Sequence, residues 1–227
     1  MSGEERMLAE ARREAARTWL LREDGPCRVK LCGMYREEDV LAANACLPEM
    51  VGFVTSFPKS HRSVDPPALK HLASLVDERI YRVGVSVDLP FSRVAHNANH
   101  HVDIVQLHGH EDEGYINGVR MRTYAGIIQA FRIQDRTDVE RALASSADMV
   151  LLDAGQGSGE TFDWRLIDGF SSRRPFILAG GLSPDNVAEA IRVLRPWGVD
   201  LSSGIETDLI KDPIKMAAAV AAVRSAS

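Results

Sequence analysis

Apolar residues in this chain recur at two different periods, and the two alternate along most of its length. Short runs rich in Val and Ile read as strands: Val29–Cys32, Met50–Val54, Ile80–Val87, Asp103–Leu107, Ile127–Arg132, Met149–Leu152, Phe176–Ala179 and Val199–Ser202. Their near-continuous apolar character suits parallel strands covered by helices. Each is followed by a stretch of helical spacing: Glu37–Cys46, Pro67–Asp77, Phe91–Asn99, Glu111–Arg120, Thr137–Ser145, Asp163–Phe170, Pro184–Leu194 and Pro213–Arg224. Eight strand–helix units without a dividing linker predict an α/β chain closed into a (β/α)₈ TIM barrel rather than an open sheet. Before the first unit, Leu8, Ala11, Ala15 and Trp19 recur at helical spacing among Glu and Arg, and Gly25-Pro26 ends the pattern. The expected organisation is an N-terminal helical extension over residues 1–26, covering one end of a barrel of residues 27–227. A dimer contact or the remnant of a linker are the other readings of that helix.

In such a barrel the chemistry lies at the C-terminal ends of the strands. The last two ends are the most informative. Ala179-Gly180-Gly181-Leu182 and Ser202-Ser203-Gly204 each close an apolar strand in small residues, and Ser183-Pro184-Asp185 and Asp212-Pro213 signal helix starts after them. Small residues let backbone N–H groups approach an anion, and a helix N-terminus adds partial positive charge. Gly180, Gly181, Ser202, Ser203 and Gly204 are therefore expected to bind phosphate. The partner would be a phosphorylated small molecule.

Composition narrows the class. With 227 residues, 45% hydrophobic, the chain fits one large-cored domain. The net charge is −5 and the arginines are interspersed with acids, so no basic stripe for nucleic acid is expected. No apolar run approaches the ~20 residues of a membrane span. The charged N-terminus does not read as a secretory leader. Cys27, Cys32 and Cys46 form neither a CxxC pair nor a zinc spacing, which suits a reducing cytoplasm.

Other strand ends carry candidate chemistry. Cys32 closes the first strand ahead of Gly33. It is either a buried packing residue or, facing the mouth, a thiol able to act as base or nucleophile. Asp153 closes the sixth strand before the glycine-rich Gly155–Gly159. It is either a turn-former or an acid whose pKa rises as water is excluded. Arg62, in the loop after the second strand, has a fork that fits a carboxylate, although most arginines are simply exposed. His108 closes the fourth strand and should face the mouth, with His110 and Glu111 beginning the next helix. His108-Gly109-His110-Glu111-Asp112 is not expected to hold a metal, because too few groups converge.

These residues resemble the phosphoribosylanthranilate isomerase family. The likeness is carried by Val29-Lys30-Leu31-Cys32-Gly33, Gly52-Phe53-Val54, Pro58-Lys59-Ser60-His61-Arg62, Gln106-Leu107-His108-Gly109 and Leu152-Asp153-Ala154. It continues in Gly157-Ser158-Gly159, Thr161-Phe162-Asp163-Trp164, Ala179-Gly180-Gly181-Leu182 and Ser202-Ser203-Gly204-Ile205-Glu206. The ordered set spans about residues 28–224. The resemblance implies an Amadori rearrangement in tryptophan biosynthesis, from N-(5-phosphoribosyl)anthranilate to 1-(2-carboxyphenylamino)-1-deoxyribulose 5-phosphate, with no cofactor and no metal. It implies Asp153 as general acid, Cys32 as general base, Arg62 on the anthranilate carboxylate, His108 in support and the two small-residue loops on the phosphate. A cytoplasmic monomer or homodimer is expected. The chain departs from the family pattern at its N-terminal helix, at Met34-Tyr35 and at Glu160, where Lys is usual. A pentulose-phosphate epimerase would want paired acids and metal-binding histidines. The isomerase of histidine biosynthesis would want Asp in place of Cys32 and two phosphate sites. A regulatory phosphate-binding barrel would not need an acid and a base.

Overall fold

The computed structural model describes residues 3–153 and 164–226. Eight parallel strands form the barrel: β1 (Arg28–Cys32), β2 (Met50–Thr55), β3 (Tyr81–Ser86), β4 (Ile104–Leu107), β5 (Gly126–Arg132), β6 (Met149–Asp153), β7 (Phe176–Ala179) and β8 (Gly198–Leu201). Neighbours in sequence are neighbours in space, and β1 pairs with both β2 and β8, so the ring closes. A two-residue strand, Ser63–Val64, adds to the edge of β2. The helices are α1 (Gly3–Leu20), α2 (Glu37–Cys46), α3 (Pro66–Ser74), α4 (Phe91–His100), α5 (Glu113–Arg120), α6 (Arg136–Ala144), α7 (Val187–Leu194) and α8 (Pro213–Ala226).

Strand alternation sorts the side chains into two apolar layers. Val29, Leu31, Val51, Phe53, Val105, Leu107, Val150, Leu152, Leu178 and Val199 point outward and pack beneath the helices. Met50, Val83, Ile104, Ile128, Ala130, Met149, Leu151, Ile177 and Ala179 fill the barrel interior. The inward positions of each strand therefore lead, two residues at a time, to the mouth.

α1 closes the opposite end. Ala16 and Leu20 are fully buried and belong to the interior cluster. Trp19 lies against Tyr81 and Trp197, with ring centroids 5.0 and 4.9 Å away. Arg12 donates to Asp103 at 2.9 Å and to the Glu78 and Ile80 carbonyls at 2.6 and 2.8 Å. Arg17 bonds Asp148 at 3.1 Å. The helix covers the barrel end as expected, and Trp19 of the predicted stripe packs there, but the rest of that stripe does not. Leu8, Ala11 and Ala15 are exposed, while Arg13, Ala16 and Leu20 are buried. Arginines that reach polar strand ends allow a charged face to turn inward, which hydrophobic spacing alone does not register.

Two further expectations change. The stretch after β6 forms 3₁₀ turns, Trp164–Ile167 and Phe170–Ser172, in place of the expected helix Asp163–Phe170. His110 and Glu111 precede α5, whose cap is Asp112, its carboxylate accepting from the Tyr115 N–H at 2.8 Å. Glu111 is buried and its carboxylate accepts from the N–H groups of Asp88 and Gly109, tying two loops together. Ala154, the glycine-rich stretch 155–159, Glu160 and residues 161–163 lie outside the described residues.

Candidate active site

The site is built at the C-terminal ends of the strands. Cys32, last in β1, is buried in the mouth beside β2. A Cβ placed on Gly52 of β2 would lie 2.8 Å from its Sγ. Burial, then the Asp200 carboxylate, push the Cys32 thiol above its ordinary range, and Lys30 and Lys211 oppose them. The next residue, Gly33, has φ +84°, and a Cβ there would stand 2.4 Å from Cδ of Arg62. Glycine is required on both counts, and its absence of a side chain lets Arg62 lie across the end of β1.

Arg62 is not free. Its Nε and Nη2 donate to the two carboxylate oxygens of Glu206, both at 2.6 Å. Lys211 reaches the same carboxylate at 2.7 Å and donates to the Ser202 carbonyl at 3.0 Å. Burial alone would raise the Glu206 carboxyl, but the bonds from Arg62 and Lys211 outweigh it and hold it below its usual range. The fork that sequence aimed at a substrate carboxylate is engaged on one edge, leaving Nη1. Tyr35 closes this side of the mouth, its hydroxyl donating to the Leu209 carbonyl at 3.1 Å and its ring lying edge-on to His61.

Asp153, last in β6, is half-buried three strands from β1 on the shorter way round the ring. His108, just past β4, places Nε2 3.5 Å from its Oδ2. The Gln106 amide N–H donates to His108 Nδ1 at 3.1 Å. In the tautomer with Nδ1 unprotonated, the Nε2–H faces Asp153. Gln106 is buried, and its Oε1 has no partner among the described residues.

The two small-residue loops after β7 and β8 meet at the mouth. Gly180 and Gly181 have φ of +97° and +64°, and a Cβ on Gly204 would collide with the Leu182 carbonyl oxygen at 2.0 Å. The second loop continues as a 3₁₀ turn, Ser203–Ile205, and a hairpin of Glu206–Thr207 with Ile210–Lys211, before α8 begins. The N–H groups of Ile214 and Lys215 are capped by the Asp212 carboxylate at 2.9 and 3.2 Å. The first turn of α8 is thus satisfied from within, and the 3₁₀ turn takes the place beside the loop that sequence gave to a helix start. The Ser202 hydroxyl donates to the Cys32 carbonyl at 3.2 Å, joining this loop to β1.

The structure gathers Cys32, Arg62 and Ser202 on one side of the mouth, and His108 and Asp153 on another. The family model of N-(5'phosphoribosyl)anthranilate (PRA) isomerase matches residues 29–222. The chain belongs to the N-(5'-phosphoribosyl)anthranilate isomerase family.

The family isomerase of Endomicrobium trichonymphae is 40% identical over 204 residues, covering 87% of this chain and 98% of that protein. That of Chromohalobacter salexigens is 41% identical over 199 residues, covering 84% and 91%. The solved isomerase of Thermotoga maritima superposes with a TM-score of 0.80 at 34% identity, covering 88% of this chain and 99% of that one. A family structure in complex with reduced 1-(o-carboxyphenylamino)-1-deoxyribulose 5-phosphate gives 0.78 at 33%, covering 88% and 99%. The family match begins at residue 29, so α1 lies outside it.

Sequence reading gave no role to Lys30, Asp200, Gln106, Glu206 or Lys211. For three of them a signal existed. Lys30 and Gln106 stand two residues before Cys32 and His108, and Asp200 two before Ser202, so each shares the inward face of its strand.

Proposed function

We propose that the protein catalyses the isomerisation of N-(5-phosphoribosyl)anthranilate to 1-(2-carboxyphenylamino)-1-deoxyribulose 5-phosphate, with Asp153 as general acid and Cys32 as general base. The observation that carries the reading is the pairing of an inward thiol at the end of β1 with an inward carboxyl at the end of β6, beside two glycine-turned loops. The Asp153 carboxyl gives its proton to the furanose ring oxygen, the bond from that oxygen to C1 breaks, and an iminium ion forms. The Cys32 thiolate takes the C2 proton, leaving an enolamine. The enolamine tautomerises to the ketose, and the overall reaction neither gains nor loses a proton.

The remaining roles follow from charge and shape. The substrate phosphate lies against the backbone of Gly180, Gly181, Ser203 and Gly204, with Ser202 beside them. Its carboxylate meets Arg62 at the Nη1 edge that Glu206 leaves open. His108 supports Asp153 through its Nε2–H. Residues 1–26 extend a catalytic barrel of residues 27–227, and the protein works in the cytoplasm as a monomer or homodimer, without a metal or cofactor.

The test is turnover of phosphoribosylanthranilate by the purified full-length chain. Conversion to the ketose, lost in Cys32→Ser and Asp153→Asn, supports the reading. Absence of conversion while phosphate ligands still bind would make the chain a binding module.

A further inference from the structure

Lys30 and Asp200 form an ion pair that the proposed reaction does not use. Lys30 has no exposed surface, and its Nζ lies 2.9 and 3.0 Å from the two Asp200 oxygens. β1 and β8 pair these residues side by side, on the inward face that also carries Cys32. Removing two charges from water costs several kcal/mol per ion, and an apolar pair would often be at least as stable. Stability alone is therefore a poor reason for the pair. Its place offers another. The Cβ position of Gly52 that lies 2.8 Å from Cys32 Sγ lies 3.1 Å from Lys30 Nζ, so ammonium and thiol border the same small space.

We propose that this pair sets the ionisation of the Cys32 thiol, Lys30 acting as counter-ion to the thiolate and Asp200 drawing on the same ammonium. The inference deepens the assignment of Cys32 as base and rests on it. β2 borders the thiol without a charge, and the other elements around it each bring one: Lys30 from β1, Asp200 from β8, Lys211 from the hairpin strand Ile210–Lys211, and Arg62 from the loop after β2. Glu206 balances Arg62 and Lys211 from one side. These groups comprise three cations and two carboxylates, so one positive charge remains for the thiolate to neutralise. Lys30 and Asp200 are positioning residues: they act on the substrate through Cys32.

The two members of the pair push the thiol in opposite directions, and that separates the proposal from a purely structural role. Thiolate absorbance is titrated in the full-length protein, each variant being read against its own Cys32→Ser counterpart. Lys30→Met is expected to move the midpoint up, and Asp200→Asn to move it down, each by about one pH unit or more, the scale of a neighbouring charge. With Asp200→Asn the ammonium has the thiolate as its remaining close anion, so that variant alone decides the matter if Lys30→Met does not fold. A midpoint unchanged or raised in Asp200→Asn overturns the proposal. So do shifts of the same sign in both variants. The titration does not depend on turnover. Opposite shifts in a protein that fails to isomerise would overturn the proposed function and leave the charge coupling standing.

Discussion

Leu20 and Gly126 meet where α1 plugs the barrel, and that contact supports a quantitative double-mutant cycle. Leu20 is fully buried, and a Cβ on Gly126 would lie 2.6 Å from its Cδ1 and 3.3 Å from the backbone of Arg17. Leu20→Ala removes interior packing and leaves a cavity, at a cost of about 2–5 kcal/mol. In a chain of this size each kcal/mol moves Tm by roughly 2–4 °C, so a loss of about 3 kcal/mol lowers it by roughly 6–12 °C. Gly126→Ala overpacks the same place and should cost about 1–3 kcal/mol. In the double variant the new methyl enters space that Leu20 has vacated, so the two costs should not add. The assay is urea unfolding of the four proteins, with kcat/KM measured at low temperature. Stability should show a favourable coupling of at least ~0.5 kcal/mol, while kcat/KM stays unchanged, because the site lies at the other end of the strands. Additive losses, or none for Leu20→Ala, would refute the docking of α1 through Leu20.

Other outcomes follow from the charges in the site and the core. Burial raises the Cys32 thiol, and only the thiolate alkylates, so modification of Cys32 by iodoacetamide, read against Cys32→Ser, should accelerate about tenfold per pH unit from neutral pH towards the thiol's midpoint; a rate already level at neutral pH would contradict the raised midpoint. Arg62→Ala should raise KM about 10–100-fold, the scale of losing charged hydrogen bonds, and Arg62→Lys should recover only part of it; an unchanged KM removes Arg62 from carboxylate binding. Burial pushes the Cys27 thiol up to about 12. Its folded form holds a proton that the unfolded chain releases near its ordinary pKa of about 8.5, so its contribution is intact below that pH and is lost as pH rises towards 12. Urea midpoints should therefore fall less steeply with alkaline pH in Cys27→Ala than in the parent chain.

Much of the architecture could be read from the chain because parallel strands and amphipathic helices leave distinct periods. β1 to β8 lie where the apolar runs do, within a residue or so at each end. Helix faces were harder. In α1 the buried side carries Arg13 and draws in Arg12 and Arg17, whose guanidinium groups find Asp103, Asp148 and strand-end carbonyls distant in sequence. The placement of Cys32, Asp153 and His108 at the mouth was legible because strand ends mark it. Its electrostatics were not, since Arg62 meets Glu206 across 144 residues and Lys30 meets Asp200 across 170. Those partners become visible only once β1 and β8 close the ring. Asp212 illustrates a local limit: Asp-Pro correctly marks a helix start, but the same carboxylate satisfies that start from within.

The account stands most directly on single-turnover and steady-state kinetics of Cys32→Ser, measured beside binding of the reduced product analogue. Turnover should drop by roughly 10²-fold or more, the scale of losing a general base, with analogue affinity and fold retained. A Cys32→Ser protein that isomerises phosphoribosylanthranilate as fast as the parent chain would contradict it.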